Sequence, residues 1–246
     1  MTFEPWQWAL LVLGALVAGF SKTGLPGAGI LFVAIFANLM PARQATGVVL
    51  PMLICGDLFA YFVYRKNLEW RRIGRLLPWS VAGVLLGWWA LGRINDGQTA
   101  RAVGGAILVM LLLHFWRQRG TADAVAARAP AWFGPVMGLA AGVATMVANA
   151  AGPIMTLYLL AMRLTKLEFL GTGAAFFLVI NWVKVPFAVQ LGVINPGSLA
   201  LNLMLLPAVI VGCLLGQVAA ARLNQRMFEN VVLVLTGAAA LKLLVF

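Results

Sequence analysis

Acidic side chains are scarce in this chain. Seven Asp and Glu stand against 18 Lys and Arg, and charged residues make up only 10% of 246. A soluble domain carries about 25% charged residues, so too few polar side chains are present to cover a water-facing globule. There is one histidine, His114. A lone histidine cannot build a metal site, and it stands beside Phe115 and Trp116, where interfacial packing explains it. No Ser–His pairing and no His, Cys, Asp or Glu cluster with ligand spacing exists, so an enzyme is not expected and no cofactor or metal is assigned. The two cysteines, Cys55 and Cys213, both fall inside apolar runs. They read as small buried hydrophobes; their spacing fits no metal motif, and a disulfide is not expected. The first apolar run opens with Glu4 and lacks a basic leader, so it is not expected to be a cleaved signal peptide.

What the chain has is apolar length: 63% of residues are hydrophobic. The clearest runs cover 43–64, 76–91, 102–116, 167–190, 199–221 and 231–246. Several reach the roughly 20 residues needed to span a bilayer. The net charge of +11 raises nucleic acid as a partner, but the basic residues sit between apolar runs. They form no stripe with stacking aromatics, which fits the positive-inside pattern better than a phosphate-binding surface. Six of the tryptophans (Trp6, Trp8, Trp70, Trp79, Trp116, Trp132) fall near predicted span ends, as an interfacial belt requires. Met110, Met137, Met146 and Met155 read as packing residues. The fold class expected is all-α, a polytopic membrane protein.

The chain repeats itself. Leu77-Pro78, Gly83, Leu86-Gly87 and Arg93-Ile94-Asn95 match Leu206-Pro207, Gly212, Leu215-Gly216 and Arg222-Leu223-Asn224 at one constant offset. Upstream, Ala18-Gly19 with Gly27 and Gly29 matches Ala141-Gly142 with Ala150 and Gly152, and Thr46-Gly47 matches Thr172-Gly173. The expected organisation is a first repeat at 1–118, a cytoplasmic connector at 119–129 and a second repeat at 130–246, each with about five helical segments. The first two segments of each repeat, 6–20 with 27–40 and 132–147 with 153–162, are short and divided by a Gly-rich break. About 14 residues at 1.5 Å rise cover only about 21 Å, less than the hydrocarbon core. Broken or re-entrant helices meeting inside the membrane are therefore expected.

Charge sets the orientation. With ten segments, one side receives Lys22, Arg65, Lys66, Arg71, Arg72, Arg75, Arg117, Arg119, Arg128, Arg163, Lys166, Arg222 and Arg226. The other receives Arg43, Arg93 and Arg101. The rich side is cytoplasmic, which puts both termini in the periplasm. An odd number of segments per repeat inverts the second repeat relative to the first. Inverted repeats with broken helices are the architecture of secondary transporters.

The segment Ala18-Gly19-Phe20-Ser21-Lys22-Thr23-Gly24-Leu25-Pro26-Gly27-Ala28-Gly29 resembles the Gly-rich signature of the sulfite exporter TauE/SafE family. Ala141-Gly142 through Ala150-Ala151-Gly152-Pro153 resembles its second copy. Many members carry consecutive glycines where this chain has Gly-Ala-Gly and Ala-Ala-Gly. The resemblance spans essentially the whole chain. It implies a bacterial protein that moves a sulfur-containing or related organic anion across the inner membrane.

The residues themselves suggest where the anion binds. Pro26 and Pro153 are expected in the first turn of the second half-helix of each pair, where a missing N–H costs nothing. Gly27, Gly29 and Gly152 let a ligand approach the backbone. Each half-helix N-terminus carries unpaired N–H groups and about half a positive charge, so two converging ends make an anion site. The competing reading is that small residues there serve only helix packing. Lys184 lies deep in the 167–190 run, where a Lys costs about 2.5–3.5 kcal/mol. Asn181 precedes it by three on the same face. The pair is expected to bind the oxyanion; a structural ion pair is the alternative. Asp57 lies deep in the 43–64 run with Tyr61 and Tyr64 following on one stripe. It is either a proton-coupling carboxylate or the counter-ion of Lys184 or Lys22. Lys22 either contacts the anion or snorkels to the cytoplasmic edge. Asn149 either orients substrate or caps the half-helix. The run of basic residues from Arg65 to Arg75 reads as a solvated topology determinant. The function expected is a proton-driven secondary exporter of a small anion such as sulfite or an organosulfonate, with a passive anion channel as the alternative. A membrane scaffold has little need of buried Lys184 and Asp57.

Overall fold

The computed structural model of the chain describes residues 3–26, 28–40, 42–90 and 132–245. Those residues form α1 (Pro5–Thr23), α2 (Gly29–Leu39), α3 (Ala42–Tyr64), a 3₁₀ turn (Arg65–Asn67), α4 (Trp70–Ala90), α5 (Phe133–Ala148), α6 (Ala151–Ala161), α7 (Lys166–Gln190), α8 (Pro196–Arg222) and α9 (Gln225–Val245). No strand occurs among them. His114, Trp116, Gly27, the run at 102–116, the connector at 119–129 and the Arg93-Ile94-Asn95 half of the repeat match lie outside the described residues.

Local chemistry explains where helices begin. Pro196 opens α8 behind Asn195, whose side chain accepts from the Ser198 amide while the Ser198 hydroxyl accepts from the Asn195 amide. Thr165 and Glu168 make the same reciprocal cap for α7, and each such box satisfies two otherwise orphaned donors. Three segments, Gly47–Asn67, Lys166–Gln190 and Pro196–Arg222, are long and apolar enough to cross a membrane. Their outward faces are apolar: Leu203 and Met204 on α8, Trp182 on α7 and Phe62 on α3 are all more than half exposed. Large apolar side chains exposed in such number belong against lipid, not water.

Three expectations need correction. The paired segments at each break are unequal: α2 and α6 have 11 residues each, but α1 has 19 and α5 has 16. At 1.5 Å per residue α1 is about 28 Å long, close to a full span. The α4 helix begins at Trp70, upstream of the run at 76–91. Ile73 and Leu76 turn inward there while Arg71 and Arg75 stay exposed, so a charged but amphipathic turn extends the helix and leaves Trp79 in mid-helix. Cys55 is exposed on the apolar face of α3; only Cys213 is buried, and both are free thiols.

Two helix pairs pack backbone against backbone. A Cβ placed on Gly19 of α1 would fall 2.0 Å from Val209 O of α8, and one on Gly212 would fall 2.1 Å from Leu16 O. The α4–α5 pair repeats this: Gly83 faces Leu139 O at 2.3 Å and Gly142 faces Ser80 O at 2.1 Å. No side chain larger than hydrogen fits these positions, and small residues give membrane helices this approach. Within each pair the contacts advance together. Gly19 meets Val209, Thr23 meets Cys213 and Gly24 meets Gly216; Gly142 meets Ser80 and Gly87 meets Met146. Both pairs are thus parallel. By contrast, Gly47 near the start of α3 abuts Val193 just beyond α7, and Gly171 near the start of α7 abuts Tyr64 at the end of α3. Those two helices run antiparallel and cross in the middle of the molecule.

Candidate functional site

At that crossing α3 and α7 carry the buried ionisable groups. Asp57 of α3 is fully buried and its Oδ1 lies 2.7 Å from Lys22 Nζ at the end of α1. Gly56 makes this possible, because a Cβ there would come within 2.9 Å of Lys22 Cγ. The Lys22 stem lies flat against α3 for lack of that carbon. Its ammonium also sits 4.6 Å from the centroid of the Phe177 ring, a cation–π contact. The other Asp57 oxygen accepts from Asn181 Nδ2 at 2.7 Å. Asn181 Oδ1 in turn lies 3.5 Å from Lys184 Nζ. Lys184, 1% exposed, also donates to Thr145 Oγ1 at 3.1 Å and to Asn149 Oδ1. A single polar chain therefore runs from the first break, through α3 and α7, to the second break.

The expected partners divide. Asp57 is the counter-ion of Lys22, not of Lys184, which is held by three neutral oxygens. With each group ionised, two ammoniums face one carboxylate, and the cluster holds one positive charge in excess. Of the tyrosines on the α3 stripe, Tyr64 donates to Thr23 O at 2.7 Å and ties α3 to the α1 terminus.

Both breaks meet one cavity of about 100 Å³. A water needs about 10–15 Å³ of such space, so several waters or one small polyatomic anion fit. Lys22, Gly29, Asp57, Asn149, Gly152 and Asn181 all line it. Lys184 does not; it stands one layer behind, holding Asn149 and Asn181 on the wall. The remaining wall is largely apolar, with Phe32, Leu53, Met155, Leu159, Phe169 and Phe177.

The half-helix ends arrive by different routes. In the second break, Asn149 ends α5 in the left-handed region at φ 50°, and Ala150 bonds back to Ala144 O at 3.1 Å. Asn tolerates that conformation better than most residues. Asn149 is thus the C-cap of α5 and does not cap α6, whose N-cap is Ala150 with no side-chain cap. Pro153 falls in the first turn of α6, as expected. In the first break, Pro26 stands ahead of the N-cap Ala28 and so outside α2. The first-turn amides of Gly29 and Ile30 in α2, and of Ala151 and Gly152 in α6, have no intrahelical acceptor, and both helix starts reach the cavity wall. A Cβ on Gly152 would meet nothing within 4 Å, so that backbone is open to a ligand.

Sequence reasoning missed Gly56, Thr145, Thr156 and Phe177. Thr145 stands four residues before Asn149 and Thr156 four after Gly152, a spacing that puts each pair on one helical face. That signal was readable; the contacts of Gly56 and Phe177 with Lys22 were not, because they cross between helices.

No curated protein and no solved structure matches the chain. A family model described as sulfite exporter TauE/SafE matches residues 11–243, nearly the whole sequence and both breaks. The chain, an all-helical membrane protein with a cavity between two helix breaks, belongs to the sulfite exporter TauE/SafE family of membrane transporters.

Proposed function

We propose that this protein is a secondary transporter of the inner membrane that exports a small anion, sulfite or an organosulfonate, with proton coupling at Asp57. The observation that carries the reading is the convergence of two half-helix N-termini and the Lys22 ammonium on one cavity of about 100 Å³. Unpaired amides and the dipole's positive end favour an anion there, and no acidic or metal ligand is required.

The proposed architecture is two inverted repeats, 1–118 and 130–246, joined at 119–129, with both termini periplasmic. Its support is the reciprocity of the packing. Gly19 on Val209 and Gly142 on Ser80 are one contact made twice, as are Gly212 on Leu16 and Gly83 on Leu139. Each first helix packs on the fourth helix of the other repeat, and the two third helices cross each other. The parallel α1–α8 and α4–α5 pairs and the antiparallel α3–α7 pair are the directions that the Lys and Arg asymmetry assigns.

Coupling follows from a shared ammonium. An anion that binds at Lys22 competes with Asp57, and a buried carboxylate deprived of its partner neutralises by taking a proton. Binding then carries a proton with the anion. By reciprocity, anion affinity rises as pH falls. A dianion moving with one proton carries one net negative charge outward, which the inside-negative potential favours by about 2.3 kcal/mol per 100 mV, less about 1.4 kcal/mol for each pH unit by which the outside is more acidic. A monoanion moving with a proton carries no net charge and leaves down its own gradient.

The test uses purified protein in liposomes with a pH gradient and an imposed potential. Uphill sulfite flux that collapses with an uncoupler is expected, as is loss of flux in Lys22→Met. Conduction at channel rates, independent of the gradients, overturns the exporter reading.

A further inference from the structure

We propose that the Thr156 hydroxyl is a ligand of the transported anion, donating a hydrogen bond to it from the α6 side of the cavity. The inference rests on the cavity being the anion site. Thr156 lies on α6, four residues after Gly152, so its side chain shares a helical face with the open first-turn backbone. It lines the cavity, is 1% exposed, and its Oγ1 has no hydrogen-bond partner among the described residues.

That isolation sets it apart from its neighbours. A buried hydroxyl without a partner forfeits its hydration with no return, and helical Ser and Thr escape the penalty by bonding a carbonyl one turn back. Ser21 bonds Ala18 O at 2.8 Å and Thr236 bonds Val232 O at 2.7 Å. Thr23 reaches Cys213 O, Thr172 accepts from the Glu69 amide and Thr145 accepts from Lys184. Thr156 makes no bond to a carbonyl one turn back. Ser80 Oγ and Asn202 Oδ1 also lack partners but lie away from the cavity wall, and Asp57 Oδ1 has its ion pair with Lys22. Thr156 is therefore the cavity's one unengaged buried hydroxyl among the described residues. An oxyanion seated on the Gly152 amide supplies the acceptor that the fold withholds.

The experiment measures binding of sodium sulfite and of methanesulfonate to the full chain in lipid nanodiscs by calorimetry, with thermal melting of the ligand-free protein alongside. Thr156→Val keeps the shape and removes the donor; Thr156→Ser keeps the donor; Lys22→Met tests the cavity independently. The expected result is a Kd raised about 10- to 100-fold in Thr156→Val, the strength of a hydrogen bond to a charged group. Thr156→Ser stays within about threefold of the parent, and the ligand-free melting temperature of Thr156→Val is unchanged or higher. Parent-like binding in Thr156→Val with lost binding in Lys22→Met overturns the role of Thr156 and leaves the cavity reading standing. A lowered ligand-free melting temperature in Thr156→Val assigns the hydroxyl to the fold and also overturns its role. Parent-like binding in Lys22→Met, or a parent that binds neither anion, overturns the cavity reading and this inference with it.

Discussion

Replacing Asp57 by Asn separates anion binding from coupling. Asp57 is fully buried and holds Lys22 Nζ at 2.7 Å through one oxygen and Asn181 Nδ2 at 2.7 Å through the other. Asparagine retains a carbonyl acceptor of the same shape but loses the charge. An anion entering the parent must draw Lys22 away from a charged hydrogen bond worth about 1.5–3 kcal/mol. At 1.4 kcal/mol per decade, removing that competition tightens anion binding roughly 10- to 100-fold at alkaline pH. As pH falls, protonating Asp57 on anion binding costs the parent less, so the advantage of the variant shrinks. The pH dependence of affinity therefore flattens. The assay is calorimetric titration with methanesulfonate, whose charge is constant from pH 6 to 9, paired with sulfite flux in liposomes under a pH gradient. Flux driven by that gradient is expected to vanish while flux down a sulfite gradient persists. Weaker binding in Asp57→Asn, or an unchanged pH slope, refutes the shared-ammonium mechanism and leaves Asp57 as a structural counter-ion.

Lys184→Ala strips Thr145, Asn149 and Asn181 of the ammonium that joins them. Transport is expected to be abolished while the protein still inserts and elutes as a single species; full flux in liposomes removes Lys184 from the mechanism. Gly142→Val forces a side chain into Ser80 O across the α4–α5 seam and is expected to lower stability by about 1–3 kcal/mol. Gly134→Ala, which meets nothing within 4 Å, leaves the melting temperature unchanged; equal behaviour of the two contradicts the seam. Cysteine placed at exposed Lys66 or at exposed Asn195 reports orientation. A membrane-impermeant maleimide applied to intact cells labels position 195 and spares position 66, and the reverse pattern overturns the assigned topology.

Much of this was legible in one dimension. Apolar runs and a shortage of charge dictate a membrane protein, because only a low-dielectric solvent tolerates such a surface. That one break falls near Pro26 and another near Asn149 was visible because Gly, Pro and Asn end helices by local backbone physics that needs no neighbour; that α1 runs on to Thr23 and leaves Pro26 outside α2 was not. Lys184 and Asp57 announced themselves by the cost of their burial. What the order of residues cannot carry is which of several buried polar groups touch. Lys22 and Lys184 were both open partners for Asp57. The pairing was decided by Gly56, which admits the Lys22 stem, and by Asn181, which separates Asp57 from Lys184. The tertiary structure likewise put Lys184 behind the cavity wall, made Asn149 the end of α5, and left Thr156 without a partner. Each of these depends on distances across helices, and such distances follow from the packing of whole surfaces, not from the identity of any one residue.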